Sequence, residues 1–335
     1  METQLSILVT GGAGAIGSNL VRRLVQSGHD VRVADNLWRG VLGNLCSEEG
    51  PVIDLATKFL QLDLADYDSC LQATKDVDTV IHLADVVAGI NFVFDNQWYL
   101  FRKNLLINSN VLAAAIENGV ERYLYVGTAC SYPMELQSEI GGPPLHEEDA
   151  YPANPESSYG WSKLMGEYEC ALAEQEERIE VATLRLHNVY GPPCEFDQAR
   201  SQVIPALCRK AINFPAEPFI VWGSGQQRRA FLFVSDVVDA IVRGLGSGFG
   251  KGVIQISPES SVSIREIAER IVVLSGKDIP IKYDTSEPEG DKDRVGDSTR
   301  ARELLGWSQD VDLESGLYQT YNWIRKSILS GNQSG

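Results

Sequence analysis

The sequence predicts an α/β protein: a doubly wound parallel sheet followed by a smaller α/β lobe. Three observations predict it. Strand and helix patterns alternate through the first half of the chain, which argues for parallel strands joined by helical crossovers. The first strand runs directly into a glycine-rich turn and a helix, "ILVTGGAGAIGSNLVRRLV". From about residue 190 the texture changes to loops such as "GPPCEFD", "NFPAEPF", "WGSGQQRR" and "TSEPEGDKDR", with short strands and helices between them.

Taken in order, strands are predicted at "SILVT", "DVRVAD", "TKFLQLD", "TVIHLA" and "RYLYVGT". Helices are predicted at "IGSNLVRRLVQSG" and "LLINSNVLAAAIENG", each closed by a Gly just past its last apolar position, a helix-stop signal. The expected division is a dinucleotide-binding domain over 1–190, rejoined by a returning segment at about 230–258, and a substrate lobe over 191–330. The tail "SGNQSG" is expected to be disordered. No internal repeat is found.

The chain has 335 residues, 44% of them hydrophobic, with a formal net charge of −17. No run of about 18 apolar residues occurs, so no membrane span is expected. The N-terminal "METQLSILVTGG" enters a strand at once, without the basic region and apolar stretch of a signal peptide. So acidic a surface repels nucleic acid and anionic lipid, and an anionic substrate needs a local cluster of Arg or Lys. Cys46, Cys70, Cys130, Cys170, Cys194 and Cys208 are scattered with no CxxC pair. That disfavours a disulfide framework or a metal site and suits reduced thiols in the cytoplasm.

The glycine-rich turn sets Gly11, Gly14 and Gly17 between strand and helix. Glycines let the backbone approach a pyrophosphate, and the helix N-terminus supplies N–H donors, as in a Rossmann-type unit. Asp35 ends the second strand, where a carboxylate accepts from an adenosine ribose and repels a 2′-phosphate; this favours NAD, with Arg39 nearby keeping NADP open. Asp63, after the third strand, faces the place of an adenine ring or caps the strand end.

"SSYGWSKLMGEYEC" places Tyr159 and Lys163 at i, i+4, on one face of a helix. An ammonium beside a phenol lowers the phenol pKa and favours a phenolate base. "GTACSYP" puts Thr128 and Cys130 past the end of a strand, where open α/β sheets bind their ligands.

In order along the chain, "TGGAGAIG", "HLA", Asn104, Thr128, "YGWSK", "RLHNVYGP" and "RRAFLFVSD" resemble the extended short-chain dehydrogenase/reductase family over nearly the whole length. The resemblance implies that Thr128, Tyr159 and Lys163 form a hydride-transfer triad acting on a nucleotide-diphosphate sugar. It implies that NAD is held by Gly11, Gly14, Ala15, Ile16, Gly17, Asp35, Asn36, Asp63, Leu64, Leu83, Ala84 and Asn104, together with Tyr159 and Lys163. Asn188, Arg229 and Arg294 match substrate-binding positions, the two arginines those that clamp the diphosphate; the alternative for each arginine is a surface ion pair. A homodimer through a four-helix bundle is implied as well.

Within that family, 4,6-dehydratases carry Asp and Glu after the Thr, where this chain has Ala129 and Cys130; Ala cannot donate a proton. "TACSYP", "FHNIYGP"-like "LHNVYGP", "PALCRKAI", "WGSGQQRRAF" and "EPEG" with Arg294 resemble the GDP-mannose 3,5-epimerases. There the cysteine exchanges protons beside a transient C4 ketone, which implies a GDP-sugar substrate and makes Cys130 catalytic. The pattern breaks at Asp197, which stands where that group has a lysine as second acid, and at Asp85, where the family usually has Ala. A 4-epimerase or C4-oxidising dehydrogenase on the same fold stays open, as does a non-catalytic NAD-binding scaffold. His187 reads as a substrate-loop residue or a core His. Cys194 reads as a second thiol of the cleft or a plain loop Cys.

Overall fold

The computed structural model describes residues 4–198, 200–287 and 290–331. The last four residues of the tail expected to be disordered, and residues 288–289 of "EPEG", lie outside them. The strand Ser6–Thr10 is central to a seven-stranded sheet whose spatial order is Val253–Ile256, Glu180–Leu186, Arg122–Thr128, Thr79–His82, Ser6–Thr10, Asp30–Asp35, Phe59–Gln61. Every pairing in it is parallel. The order reverses between Ser6–Thr10 and Thr79–His82, the switch point where such sheets open a crevice at their carboxyl ends.

Side chains alternate through the sheet. Ile7 and Val9 join Leu20, Leu24, Ile241 and Trp307 on one face, and Leu8 joins Val80, Tyr123, Tyr125 and Val111 on the other. Because both faces are covered, the strands read as near-continuous apolar runs. The helices Ala15–Gln26 and Val234–Ser247 pack together on the first face; Gln97–Glu117 and Ser158–Gln175 pack together on the second.

Two elements differ from the sequence expectation. The third strand shrinks to Phe59–Gln61, leaving Asp63 beyond it. The helix expected from residue 105 starts at Gln97. Its buried stripe continues back through Asn104 and Leu100, and the polar Asn hides that stripe from an apolar pattern.

A second core unites Tyr190, Phe196, Leu207, Phe219, Phe231, Ile267 and Leu317 under the helices Val203–Asn213, Ile264–Ser275 and Leu313–Leu329. Val253–Ile256 joins the first sheet as its outermost strand. The helix Thr299–Leu305 and Trp307 also return to the first core, which the sequence did not disclose. No helix among the described residues is long and apolar enough to cross a membrane.

Candidate active site

The turn after the first strand is shaped by close approach. A Cβ on Gly17 would stand 2.3 Å from the Gly11 carbonyl oxygen, so only Gly lets the helix begin against the turn. Asp35 is buried; its carboxylate accepts from Ala13 N at 3.0 Å and Leu37 N at 2.8 Å. Burial pushes its pKa up, and those two N–H donors pull it back. Backbone N–H groups at a helix start, a close-packed glycine turn and a carboxylate at the second strand end form a donor set that fits NAD.

These residues open into a cleft of about 930 Å³ at the carboxyl ends of the strands. Gly11, Gly14, Ala15, Ile16, Gly17, Asp35, Asn36, Leu64, Leu83 and Ala84 line it, as do Thr128, Cys130, Tyr159, Lys163, Asn188, Arg229 and Arg294. Asp63 and Asn104 do not. Asp63 is exposed, pairs with Lys103 at 2.6 Å and accepts from Ala65 N, the strand-end cap alternative. Asn104 is fully buried, and its amide bonds both backbone groups of Val86 at 2.8 and 3.1 Å. It clamps the loop after the Thr79–His82 strand.

That loop has a second anchor. Thr10 Oγ1 accepts from the N–H groups of Leu83 and Ala84, each at 3.1 Å, so its hydroxyl proton goes to His82 Nδ1 at 2.9 Å. His82 Nε2–H then donates to Asn108 Oδ1 at 2.9 Å. Burial, helped by the Lys163 charge, pushes His82 down to about 3; it is a neutral strut, not an acid or base.

On the other side of the cleft, Ser157 caps the helix Ser158–Gln175 by accepting from Gly160 N. A Cβ on Gly160 would lie 2.0 Å from the Cys130 carbonyl oxygen, so this Gly seats the helix directly on "TACS". The Tyr159 phenol is raised well above its usual pKa, by burial first and then by Asp85 and Cys130; Arg39 and a hydrogen bond from Thr128 pull the other way. Lys163 is buried one turn further along the same helix, with Nζ 4.4 Å from the Tyr125 ring centre and 3.2 Å from Asp85 Oδ2. Arg39 also lines the cleft. Its guanidinium donates to the Val87 carbonyl at 3.1 Å and lies near Glu195, Tyr159 and Cys194.

The substrate-lobe residues arrive through short pairings. Phe231–Phe233 runs parallel to Asn188–Tyr190, and Ala230 N bonds the Arg294 carbonyl at 3.1 Å. Asn188, Arg229 and Arg294 therefore meet at one wall. Burial, with the neighbouring Arg294 charge, pushes Arg229 down to about 10, so it stays protonated near neutrality. Arg294 is 6% exposed and donates from Nη1 to Cys130 Sγ at 3.2 Å; it also bonds Gln137 and Asp291. The sequence placed this arginine at a diphosphate and did not foresee the sulfur.

Three further residues separate. Asp197 is exposed and does not line the cleft. Cys194 does line it, and burial pushes its thiol up to about 12. His187 lines it too, yet its Nε2–H goes to Gln255 Oε1 at 3.1 Å and burial pushes it down to about 3, the core-His alternative. Glu195, which the sequence did not single out, is buried and lines the cleft beside Arg200 at 3.4 Å.

Residues 7–256 match the NAD dependent epimerase/dehydratase family. The chain is 36% identical over 335 residues to GDP-mannose 3,5-epimerase 1 of Oryza sativa subsp. indica, covering 99% of this chain and 85% of that one. It is 34% identical to GDP-mannose 3,5-epimerase of Arabidopsis thaliana, with the same coverage. Among solved structures, UDP-glucose 4-epimerase of Thermotoga maritima with UDP-glucose superimposes with a TM-score of 0.86 at 24% identity, covering 97% of this chain and all (100%) of that one. At that identity the likeness speaks for the Rossmann-type fold. With the glycine turn, Asp35 and the Tyr159–Lys163 helix in one cleft, the chain belongs to the NAD dependent epimerase/dehydratase family and works with NAD.

Proposed function

We propose that this protein is a nucleotide-sugar epimerase that oxidises C4 of a GDP-hexose-like substrate transiently and epimerises it at C3/C5 through Cys130. The observation that carries the reading is Cys130 in the cleft with the Arg294 guanidinium at 3.2 Å from its sulfur. The two GDP-mannose 3,5-epimerase relatives support the choice of sugar. Bound NAD supplies a hydride acceptor for C4 and later the hydride that reduces it again. Tyr159 takes the O4 proton, with Thr128 bonding the phenol and Lys163 alongside. The C4 ketone acidifies the neighbouring C–H bonds; Cys130, as a thiolate met by the Arg294 guanidinium, removes such a proton and becomes a neutral thiol, and the negative charge passes to the enolate of the sugar. Arg229 and Asn188 flank the substrate, with a guanidinium suited to a diphosphate in so acidic a protein.

Inversion also needs a proton donor on the opposite face. Asp197 is exposed and is not among the residues lining the cleft, whereas Cys194 and Glu195 on the same loop line it. Asp197→Asn is accordingly expected to leave turnover within about twofold, as surface changes do; a loss beyond tenfold, measured as product by NMR, returns the second-acid role to Asp197. The exposure of Asp197 also favours a second reading, hydride chemistry at C4 alone. Product formed in D2O decides between them: C3/C5 epimerisation places deuterium on the sugar carbons, and C4 epimerisation by hydride return does not.

We infer a homodimer through the helices Gln97–Glu117 and Ser158–Gln175. Trp98, Tyr99 and Leu106 on Gln97–Glu117, and Tyr168 and Leu172 on Ser158–Gln175, are exposed on adjacent packed helices. Leu172→Glu is expected to shift the mass by light scattering from dimer to monomer; an unchanged mass removes this face from the interface. The free thiols described support a reducing, cytoplasmic setting.

A further inference from the structure

Asp85 follows "HLA" at the cleft end of the strand Thr79–His82, and an aspartate is costly there. Its side chain is 5% exposed, and Oδ2 lies 3.2 Å from Lys163 Nζ, itself 4% exposed. Neither carboxylate oxygen has a hydrogen bond of good geometry, and the nearby Val86 N–H is already given to Asn104. Burial raises the Asp85 pKa, and Lys163 draws it back. A carboxylate so enclosed persists when a cation answers it, and this one keeps acceptor capacity facing the cofactor cleft.

Several titratable or charged groups face the Asp85–Lys163–Tyr159 cluster from the elements packed around it. They are His82 at the end of the strand before it, Tyr125 on the neighbouring strand, Cys130 past that strand's end, and Arg39 across the cleft. His82 is held neutral, and burial raises Tyr125 well above its usual value, so it too is neutral. The charge that opposes the Lys163 ammonium at contact distance is therefore Asp85. A carboxylate there resists ionisation of Tyr159 and favours a cationic ring over a neutral one in the same closed cleft.

We propose that Asp85 is a positioning residue that holds Lys163 in place and biases bound cofactor toward its oxidised, cationic form, so that the keto sugar is short-lived. The proposal rests on the C4 step of the proposed function and not on the identity of the sugar or of the inverted carbon. Its test is read without any sugar. In Asp85→Asn, which keeps size and shape, NAD+ binding weakens relative to NADH by roughly 5- to 30-fold, the size expected for removing one unit charge from a closed cleft. The Tyr159 phenolate band, taken as the difference from Tyr159→Phe in the holoprotein, titrates about one pH unit lower. In Asp85→Glu, which keeps the charge, the affinity ratio stays near wild type. Wild-type affinity ratio and wild-type Tyr159 titration in Asp85→Asn overturn the proposal, and so does a ratio in Asp85→Glu that falls as far as in Asp85→Asn. Failure of the C3/C5 reading shows separately, as product without solvent deuterium.

Discussion

Tyr159→Phe is expected to slow cofactor reduction by the nucleotide sugar by about 10²–10⁴-fold, the usual range for a lost general base, with KM little changed. The ring stays in place, because helix Ser158–Gln175 is seated by Gly160 on Cys130 and not by the phenol oxygen. What disappears is the atom that accepts the O4 proton and its hydrogen bond from Thr128. The measurement is single-turnover absorbance of reduced cofactor, which isolates the C4 step from whatever follows. A variant within tenfold of wild type would show that another group takes this proton. The same step carries a pH dependence of definite sign. Burial, Asp85 and Cys130 all raise the Tyr159 pKa, and the base works only when deprotonated. The rate of C4 oxidation should therefore climb as pH rises and fall away on the acid side.

Why Tyr159 and Lys163 could be named from sequence, while Asp85's partner could not, follows from what sets each position. The i, i+4 spacing and the strand-end location of Thr128 are local, fixed by helix and strand periodicity. The glycine turn is likewise fixed by its flanking strand and helix. Asp85–Lys163 and Arg294–Cys130 join segments far apart in the chain, and only the packed tertiary structure brings them together. A signal for Asp85 was present all the same. An aspartate inside "TVIHLADVV" interrupts an apolar run, and a buried carboxylate requires a cation, of which the YxxxK lysine is a ready source.

Asp63 and Asn104 illustrate the opposite case, in which a motif position was legible but its use was not. Both sit where cofactor contacts were expected, and both spend their polar atoms on backbone groups or on a neighbouring lysine. Which partner a polar side chain takes depends on loop geometry within a few ångströms, and residue spacing carries no such information. The same holds for Asp197: an ungapped register places it level with a lysine, but the loop turns it to solvent and turns Cys194 and Glu195 inward.

Cys130→Ala is expected to separate the two halves of the reaction. Reduction of bound cofactor persists, since Tyr159, Lys163 and Thr128 are untouched, while incorporation of solvent deuterium at C3 or C5 falls by about 10²–10⁴-fold. The sulfur lies on the 3₁₀ turn Ala129–Ser131, its backbone N–H given to Thr128 Oγ1 at 3.3 Å, so removing the side-chain atom leaves that backbone bond in place. Cys130→Ser should fare nearly as badly, because an alkoxide is far less accessible than a thiolate near neutral pH. Arg294→Lys sharpens the test. A lysine keeps the positive charge but loses the planar fork that reaches Cys130, Gln137 and Asp291 together. Deuterium exchange should then drop more than cofactor reduction does. If Cys130→Ala still labels the sugar at the wild-type rate, the thiol is a spectator and another group removes the proton; if the wild-type protein itself places no deuterium on the sugar, the enzyme works at C4 alone. The exposed Asp197 would then need no replacement, since hydride return to the opposite face of a C4 ketone calls for no second acid.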